Sequence, residues 1–292
     1  MSDNQRETSI LLFTILALIW GTSFILIKQG LKVFAPDELG ALRVTAASLF
    51  LLPAAFTQLR ELNKAHYWKL FVSGMMGIFI PAFLFAMAQT RMDSSVAGII
   101  NTLTPIFTML IGAFIFKQRF KGHAIIGILL GFGGAALLSI SRAGGSVGGI
   151  NLFALLIVLA CFFYGANLNF IKFNIPDLRS LTITSVSLLL IGPLAMIYLF
   201  AFTDFTEKFS THDGAWRAFG FIVLLGFMST AVATVIFNRL VKISTPLFAS
   251  SVTYVMPIVA VMWGMFDGEL LSVGHFIGMA AIIGGVYLAN RK

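Results

Sequence analysis

Asn101, Asn167 and Thr253 are the residues of this chain best suited to hold the polar end of a small molecule, and Trp20, Tyr164 and Tyr254 those best suited to cover its apolar part. Amides and hydroxyls offer hydrogen bonds without a strong nucleophile, and aromatic rings offer apolar surface with a polar edge. Such a set binds; it does not catalyse. A membrane enzyme would need a nucleophile–base pair or metal ligands converging at one depth. The single cysteine, Cys161, has no histidine near its depth, and the twelve acidic residues are scattered through loops and span ends. No disulfide framework, metal centre or cofactor is expected.

Other polar residues admit two readings. Ser23 shares a helical face with Trp20, as Asn167 does with Tyr164, while Asn169 lies round to the side. Trp20 and Tyr164 either line a cavity or pack in the core. Gln89 and Asn238 stand near loop junctions, to gate a path or to reach interfacial water. Arg43 is the one basic residue well inside an apolar run. It either binds a carboxylate or pairs with loop carbonyls or Glu38 near the surface.

These residues must be positioned by membrane helices. The chain has 292 residues, 58% of them hydrophobic and only 11% charged, with a mean hydropathy of +0.94. Soluble domains carry about 25% charged residues. Ten apolar runs are long enough to cross a bilayer, near 9–28, 37–56, 67–89, 95–115, 122–141, 150–171, 180–202, 217–237, 246–266 and 273–290. The first is too long for a signal peptide and lacks a small-residue cleavage site, so it reads as a retained span. The connection around 203–215 reads as a loop. The net charge of +8 belongs to the membrane rather than to nucleic acid: with a cytoplasmic N-terminus, thirteen lysines and arginines fall in inner segments and six in outer ones. Both termini are therefore expected in the cytoplasm.

The chain also repeats itself. Trp20–Lys28 returns as Tyr164–Lys172, shifted by 144 residues, and Asn101–Pro105 returns as Thr253–Pro257, shifted by 152. Two halves, 1–145 and 146–292, each carry five spans, and an odd number inverts the second half in the membrane. In span 4, Ser94, Gly98, Asn101, Pro105, Thr108 and Gly112 follow at helical spacing. In span 9, Pro246, Ser250, Thr253, Pro257, Ala260 and Gly264 do the same. Pro105 and Pro257 free backbone carbonyls at mid-depth and read as hinges. Gly127/Gly131 and Gly274/Gly278 are close-packing motifs, so spans 5 and 10 read as scaffold. His123 and His275 occupy matching places near span ends. No carboxylate lies at mid-depth as a proton relay, which favours facilitated diffusion or exchange, with Asp37 and Glu38 as the remaining acids that could carry protons.

The Trp20–Phe24 stretch ending at Lys28, Arg43, the run over residues 94–107, the run from Tyr254, and Gly268-Glu269 before a glycine-rich last span resemble EamA-type members of the drug/metabolite transporter superfamily. The resemblance covers essentially the whole chain; Lys117 stands where the first half would match Glu269. It implies an all-α integral membrane protein of ten transmembrane helices in two inverted five-helix repeats, with a cavity between helices 1–4 and 6–9. Its cavity positions map onto Trp20, Ser23, Gln89, Asn101, Tyr164, Asn167, Thr253 and Tyr254. It implies a secondary transporter or facilitator of amino acids or related metabolites, working outward across the bacterial inner membrane by alternating access. A flippase for a lipid-linked head group would share this fold. The expected partners are a small-molecule substrate and the lipid bilayer, with no nucleic acid, and the chain would act as a monomer or weak homodimer.

Overall fold

The computed structural model describes residues 3–91, 94–142, 152–266 and 273–289. Asp93, Asp267, Gly268, Glu269, Arg291, Lys292 and the 145/146 boundary lie outside these. Among the described residues the chain is helical throughout, without strands. The helices are α1 (Asp3–Gly30), α2 (Pro36–Gln58), α3 (Lys64–Ala88), α4 (Ser94–Ile100 through Thr104–Phe114), α5 (Gly122–Arg142), α6 (Ala154–Asn174), α7 (Ser180–Ala201), α8 (Ala215–Ile243), α9 (Pro246–Ser250 and Val252–Phe266) and α10 (Val273–Ala289). Seven are long and apolar enough to cross a membrane, and three further apolar helices, in α5, α9 and α10, are shorter within the described residues. Each expected apolar run thus overlaps a helix among the described residues. The expected loop at 203–215 instead holds a two-turn helix, Phe205–Thr211, pinned by buried Phe205 stacking near Phe34, Phe209 and Phe219.

Large apolar side chains such as Phe50, Phe114, Leu152, Ile197 and Ile283 face outward, while Ser9, Thr108, Asn169 and Ser187 are buried. That distribution suits a lipid surround, where backbone groups are satisfied within helices and polar side chains find partners inside. Asn169 shows how. Its amide donates to Thr108 O at 3.0 Å and Gly165 O at 2.9 Å, and its oxygen accepts from Gln118 at 2.7 Å. One bond ties α6 to α4, one closes on α6 itself and one reaches the loop after α4, so the side chain is structural.

Four helices depart from plain α geometry. A π-helical segment interrupts α3 at Met75–Phe79 and another interrupts α8 at Leu225–Val232. A 3₁₀ turn, Asn101–Leu103, breaks α4 just before Pro105, and α9 breaks at Ser251. Close backbone contacts recur between α1–α4 and α6–α9. A side chain at Gly21 on α1 would begin 2.6 Å from Val259 Cβ on α9, and one at Gly165 on α6 would begin 2.7 Å from the Thr108 backbone nitrogen on α4. Likewise Gly226 of α8 sits against the Arg43 carbonyl of α2, and Gly74 of α3 against Ser187 and Ile191 of α7. The helix backbones approach this closely because glycine has no Cβ.

α5 and α10 pack along their length, with Gly127 against the Gly285 carbonyl and Gly134 against the Gly278 carbonyl. Tyr254 belongs to this layer. It is fully buried, its ring lies on Gly131, and its hydroxyl donates to Ile128 O at 3.1 Å.

Candidate functional site

A cavity lies at the centre of the bundle, with about 90 Å³ of room for the centres of water-sized molecules. One water needs about 10–15 Å³ of such space, so the cavity takes on the order of six or more waters, or one small solute. α1, α2, α3, α4, α6, α8 and α9 supply its walls; α5, α7 and α10 supply none of the lining. The expectation that all of helices 1–4 and 6–9 would line it is corrected for α7, which stands behind the wall. There Thr184 accepts a hydrogen bond from Asn238 at 2.9 Å.

Trp20, Ser23, Arg43, Asn101, Tyr164, Asn167 and Thr253 all line the cavity. Gln89 does not: it caps the end of α3, its backbone nitrogen bonded to Phe85 O at 3.1 Å. Nor does Tyr254, which points into the α5 seam because it is one residue, about 100°, round the helix from Thr253. Both are corrections to the expected binding set. Asn238 is buried in the cavity wall rather than at the interface.

The local irregularities explain how the lining groups are held. In a π segment the ladder slips and carbonyls lose their usual i+4 donors. In α8 that leaves Ser229 O to accept from Trp20 Nε1 at 2.9 Å, while Ser23 Oγ donates to Ser229 Oγ at 2.7 Å. Trp20 also meets Phe237 edge-on at 4.8 Å between centroids. Thr230, one residue on, accepts from Arg43 Nε at 2.7 Å. In α4, Pro105 has no N–H for the Asn101 carbonyl, and Thr104 Oγ1 replaces it at 2.8 Å. The Asn101 side chain is buried with weak partners only, its Nδ2 3.8 Å from Met256 Sδ and its Oδ1 3.3 Å from Thr104 Oγ1. Asn167 accepts from Ser73 at 2.8 Å, and its amide occupies the space that a side chain at Gly77 would fill.

The 3₁₀ turn also splits the face expected in α4. Asn101 turns to the cavity, while Thr108 and Gly112 press against α6 and the Asn169–Gln118 pair. The Ser94 and Ala260 side chains lie outside the described ones. Thr104, Ser229, Thr230, Thr234, Phe85 and Met256 line the cavity without having been expected. Thr230, Thr234 and Asn238 follow at spacings of four, a signal present in the sequence. Ser229 joins them through the π segment.

The two ends of the bundle differ. Where α6 ends, Lys172 Nζ donates to Val241 O, Lys242 O and Ser244 O at 3.1, 3.1 and 2.7 Å, closing α6 onto the last turn of α8. Lys242 donates to Pro176 O at 2.7 Å, and Lys69 to Asn174 O at 2.8 Å. His66 Nε2 donates to Asp177 at 2.8 Å, its Nδ1 being the acceptor for the Asn63 N–H. Desolvation opposes ionisation of Asp177, but its own backbone N–H, His66 and the charge of Lys69 outweigh that and hold its carboxyl below the usual range. At the opposite end Lys28, the echo of Lys172, is exposed and makes no hydrogen bond or ion pair among the described residues. Glu38 there is buried and paired with Lys208 at 2.8 Å. The pairing of Arg43 with Glu38, one of its two expected readings, is therefore replaced by the bond to Thr230.

A helical bundle with an apolar exterior and a central cavity of mixed apolar and hydrogen-bonding groups defines a multi-pass membrane protein of the transporter class. The chain belongs to the EamA-like transporter family, which it matches over residues 7–140 and 151–291, within the drug/metabolite transporter superfamily. A protein of Archaeoglobus fulgidus named an uncharacterized transporter is 23% identical, covering 94% of this chain and 95% of its own length. An Escherichia coli K12 protein named a probable amino-acid metabolite efflux pump is 27% identical over 97% and 95%. Another from that strain, named the uncharacterized inner membrane transporter YedA, is 24% identical over 94% and 88%. A protein crystal structure superposes with a TM-score of 0.75 at 19% identity, over 97% of this chain and 96% of that one; the likeness is one of fold.

Proposed function

We propose that this transporter moves a small amphipathic metabolite, an amino acid or a close relative, outward across a bacterial inner membrane by alternating access. The observation that carries the reading is the cavity. Its lining combines Asn101, Asn167 and Thr253 with Trp20, Tyr164, Phe85 and Phe237, hydrogen-bonding groups and aromatic surface in one enclosure. Its size suits one amino acid better than a lipid-linked head group, which sets the flippase reading behind. Relatives named probable amino-acid metabolite efflux pumps, at 27% and 25% identity, point the same way.

Two halves in inverted orientation account for the reciprocal contacts. If residue 21 corresponds to 165 and 107 to 259, a two-fold axis requires that a 21–259 contact be matched by a 165–107 contact. Gly165 does lie against Phe107. The π segments of α3 and α8 and the breaks of α4 and α9 fall at corresponding places. Alternating access then gains a physical handle in the two lysines. With Lys172 holding three carbonyls and Lys28 holding none, the Lys172 end is shut. The cavity reaches Ile27, next to Lys28, but on α6 stops at Leu168, one turn short of Lys172. In the opposite state Lys28 would cap the end of α3 and Lys172 would let go.

No carboxylate stands among the described lining residues, so we assign facilitated diffusion or exchange. The test is uptake of a labelled amino-acid panel into proteoliposomes, with and without a pH gradient. Saturable flux that ignores the gradient supports the proposal. Gradient-driven accumulation would overturn the facilitator assignment, and no flux of any amino acid or close derivative would overturn the substrate class.

A further inference from the structure

Arg43 is the only charged side chain among the described lining residues, and its fork is mostly unspent. Nε–H goes to Thr230; the Nη nitrogens have no partner among the described residues. A structural arginine in a bundle core has its donors saturated by carbonyls or carboxylates, since a buried cation left unpaired is costly. This one is held for something else. Thr230 fixes the guanidinium from one side, and Gly226, pressed on the Arg43 carbonyl, holds α8 close enough for that bond.

The neighbouring polar valences share one sense. Asn167 has spent its oxygen on Ser73, while its Nδ2 has no hydrogen-bond partner among the described residues. The Asn101 oxygen already faces Thr104, and Ser229 O is taken by Trp20. Tyr164 is within electrostatic reach of Arg43 and keeps a hydroxyl to give. Free donors around a fixed guanidinium form a carboxylate site. No carboxylate among the described lining residues awaits an ammonium group: Glu38 is paired with Lys208 and Asp37 accepts from Tyr198, both outside the cavity.

Resting on the transport reading above, we propose that the cavity selects monoanionic carboxylates without a free ammonium group, such as N-acylated amino acids, over zwitterionic amino acids. The carboxylate lies on Arg43 with Asn167 and Tyr164, and the apolar body lies against Phe85 and Phe237. A zwitterion brings its ammonium group to within a few ångströms of the same guanidinium. One such like-charge contact at intermediate dielectric lowers affinity about tenfold or more.

The experiment compares N-acetyl-L-leucine, L-leucine and L-leucinamide, one side chain carried at three charges, in proteoliposomes of the full chain. The expected result is a half-saturating concentration for N-acetyl-L-leucine about tenfold or more below that of L-leucine, with no saturable flux of L-leucinamide. Uptake of the N-acetyl compound alone rises with an inside-positive potential, because the anion carries charge. Arg43→Gln removes the preference, and Arg43→Lys, which keeps charge but not the fork, restores part of it. Thermal protection of purified wild-type protein by N-acetyl-L-leucine at about tenfold or more lower concentration than by L-leucine reads the same selectivity without a variant. L-leucine transported as well as or better than N-acetyl-L-leucine would overturn this inference and leave the transport reading standing. No flux of any of the three, together with none from the amino-acid panel, would overturn both.

Discussion

Replacing Lys172 by Met keeps most of the side chain's stem and removes the ammonium group that spans three carbonyls at the end of α8. A hydrogen bond from a charged group contributes about 1.5–3 kcal/mol when nothing replaces it. These carbonyls lie at a helix end, where water can reach them once α6 and α8 part, so the three bonds do not sum. A combined loss of about 2–4 kcal/mol from the state closed at this end is the reasonable figure. At about 1.4 kcal/mol per tenfold, that shifts the equilibrium between the two states by about 30- to 700-fold. The shift is read by electron-spin distance measurements between labels at the exposed positions Phe173 on α6 and Arg239 on α8, in a Cys161→Ala background. Wild-type protein should give one short distance and Lys172→Met a substantial longer population. Lys28→Met should leave the short distance unchanged, since Lys28 holds nothing in this state. An unshifted distribution for a folded Lys172→Met protein would refute the latch, as would an equal effect from both lysines.

Gly21→Ala and Gly165→Ala should each lower stability by about 1–3 kcal/mol through overpacking, with similar losses, because each places a methyl group into the facing helix. Gly220→Ala, which meets open space, is the neutral control; thermal unfolding of the three proteins checks the ranking. Asn101→Leu should abolish flux and leave folding nearly intact, since its side chain has only weak partners to lose. Unimpaired flux in that variant would remove Asn101 from the site. Tyr254→Phe should cost about 0.5–1.5 kcal/mol of stability, one buried hydrogen bond, with an unchanged KM in the liposome assay.

Much of this was legible in the residues. Runs of about 20 apolar residues mark spans because the bilayer demands them, and the echo of Trp20–Lys28 in Tyr164–Lys172 is the residue pattern on which the proposed two-half arrangement rests. Asn101 stood out because an amide in hydrocarbon needs a reason. What the sequence hides is whatever departs from 3.6 residues per turn. Ser229 is turned to the cavity by a π segment that no periodicity announces, and Thr108 is turned from it by a 3₁₀ turn. Tyr254 shows another limit: adjacent to Thr253, it faces a different neighbour, and only packing against Gly131 decides which. The helix Phe205–Thr211 is too short to carry a periodic signal and exists because Phe205 has a pocket of other phenylalanines to fill.

The central claim is that solute passes through the cavity between α1, α2, α3, α4, α6, α8 and α9. Thr234 lines it and makes no side-chain hydrogen bond. A Thr234→Cys protein lacking Cys161, reconstituted in liposomes, would be assayed for flux of a carried amino acid or N-acetyl amino acid before and after labelling with a bulky thiol reagent. The account predicts flux before labelling and its loss afterwards, with no such loss for cysteine at the outward-facing Leu155. Undiminished flux through fully labelled Thr234→Cys protein would contradict it.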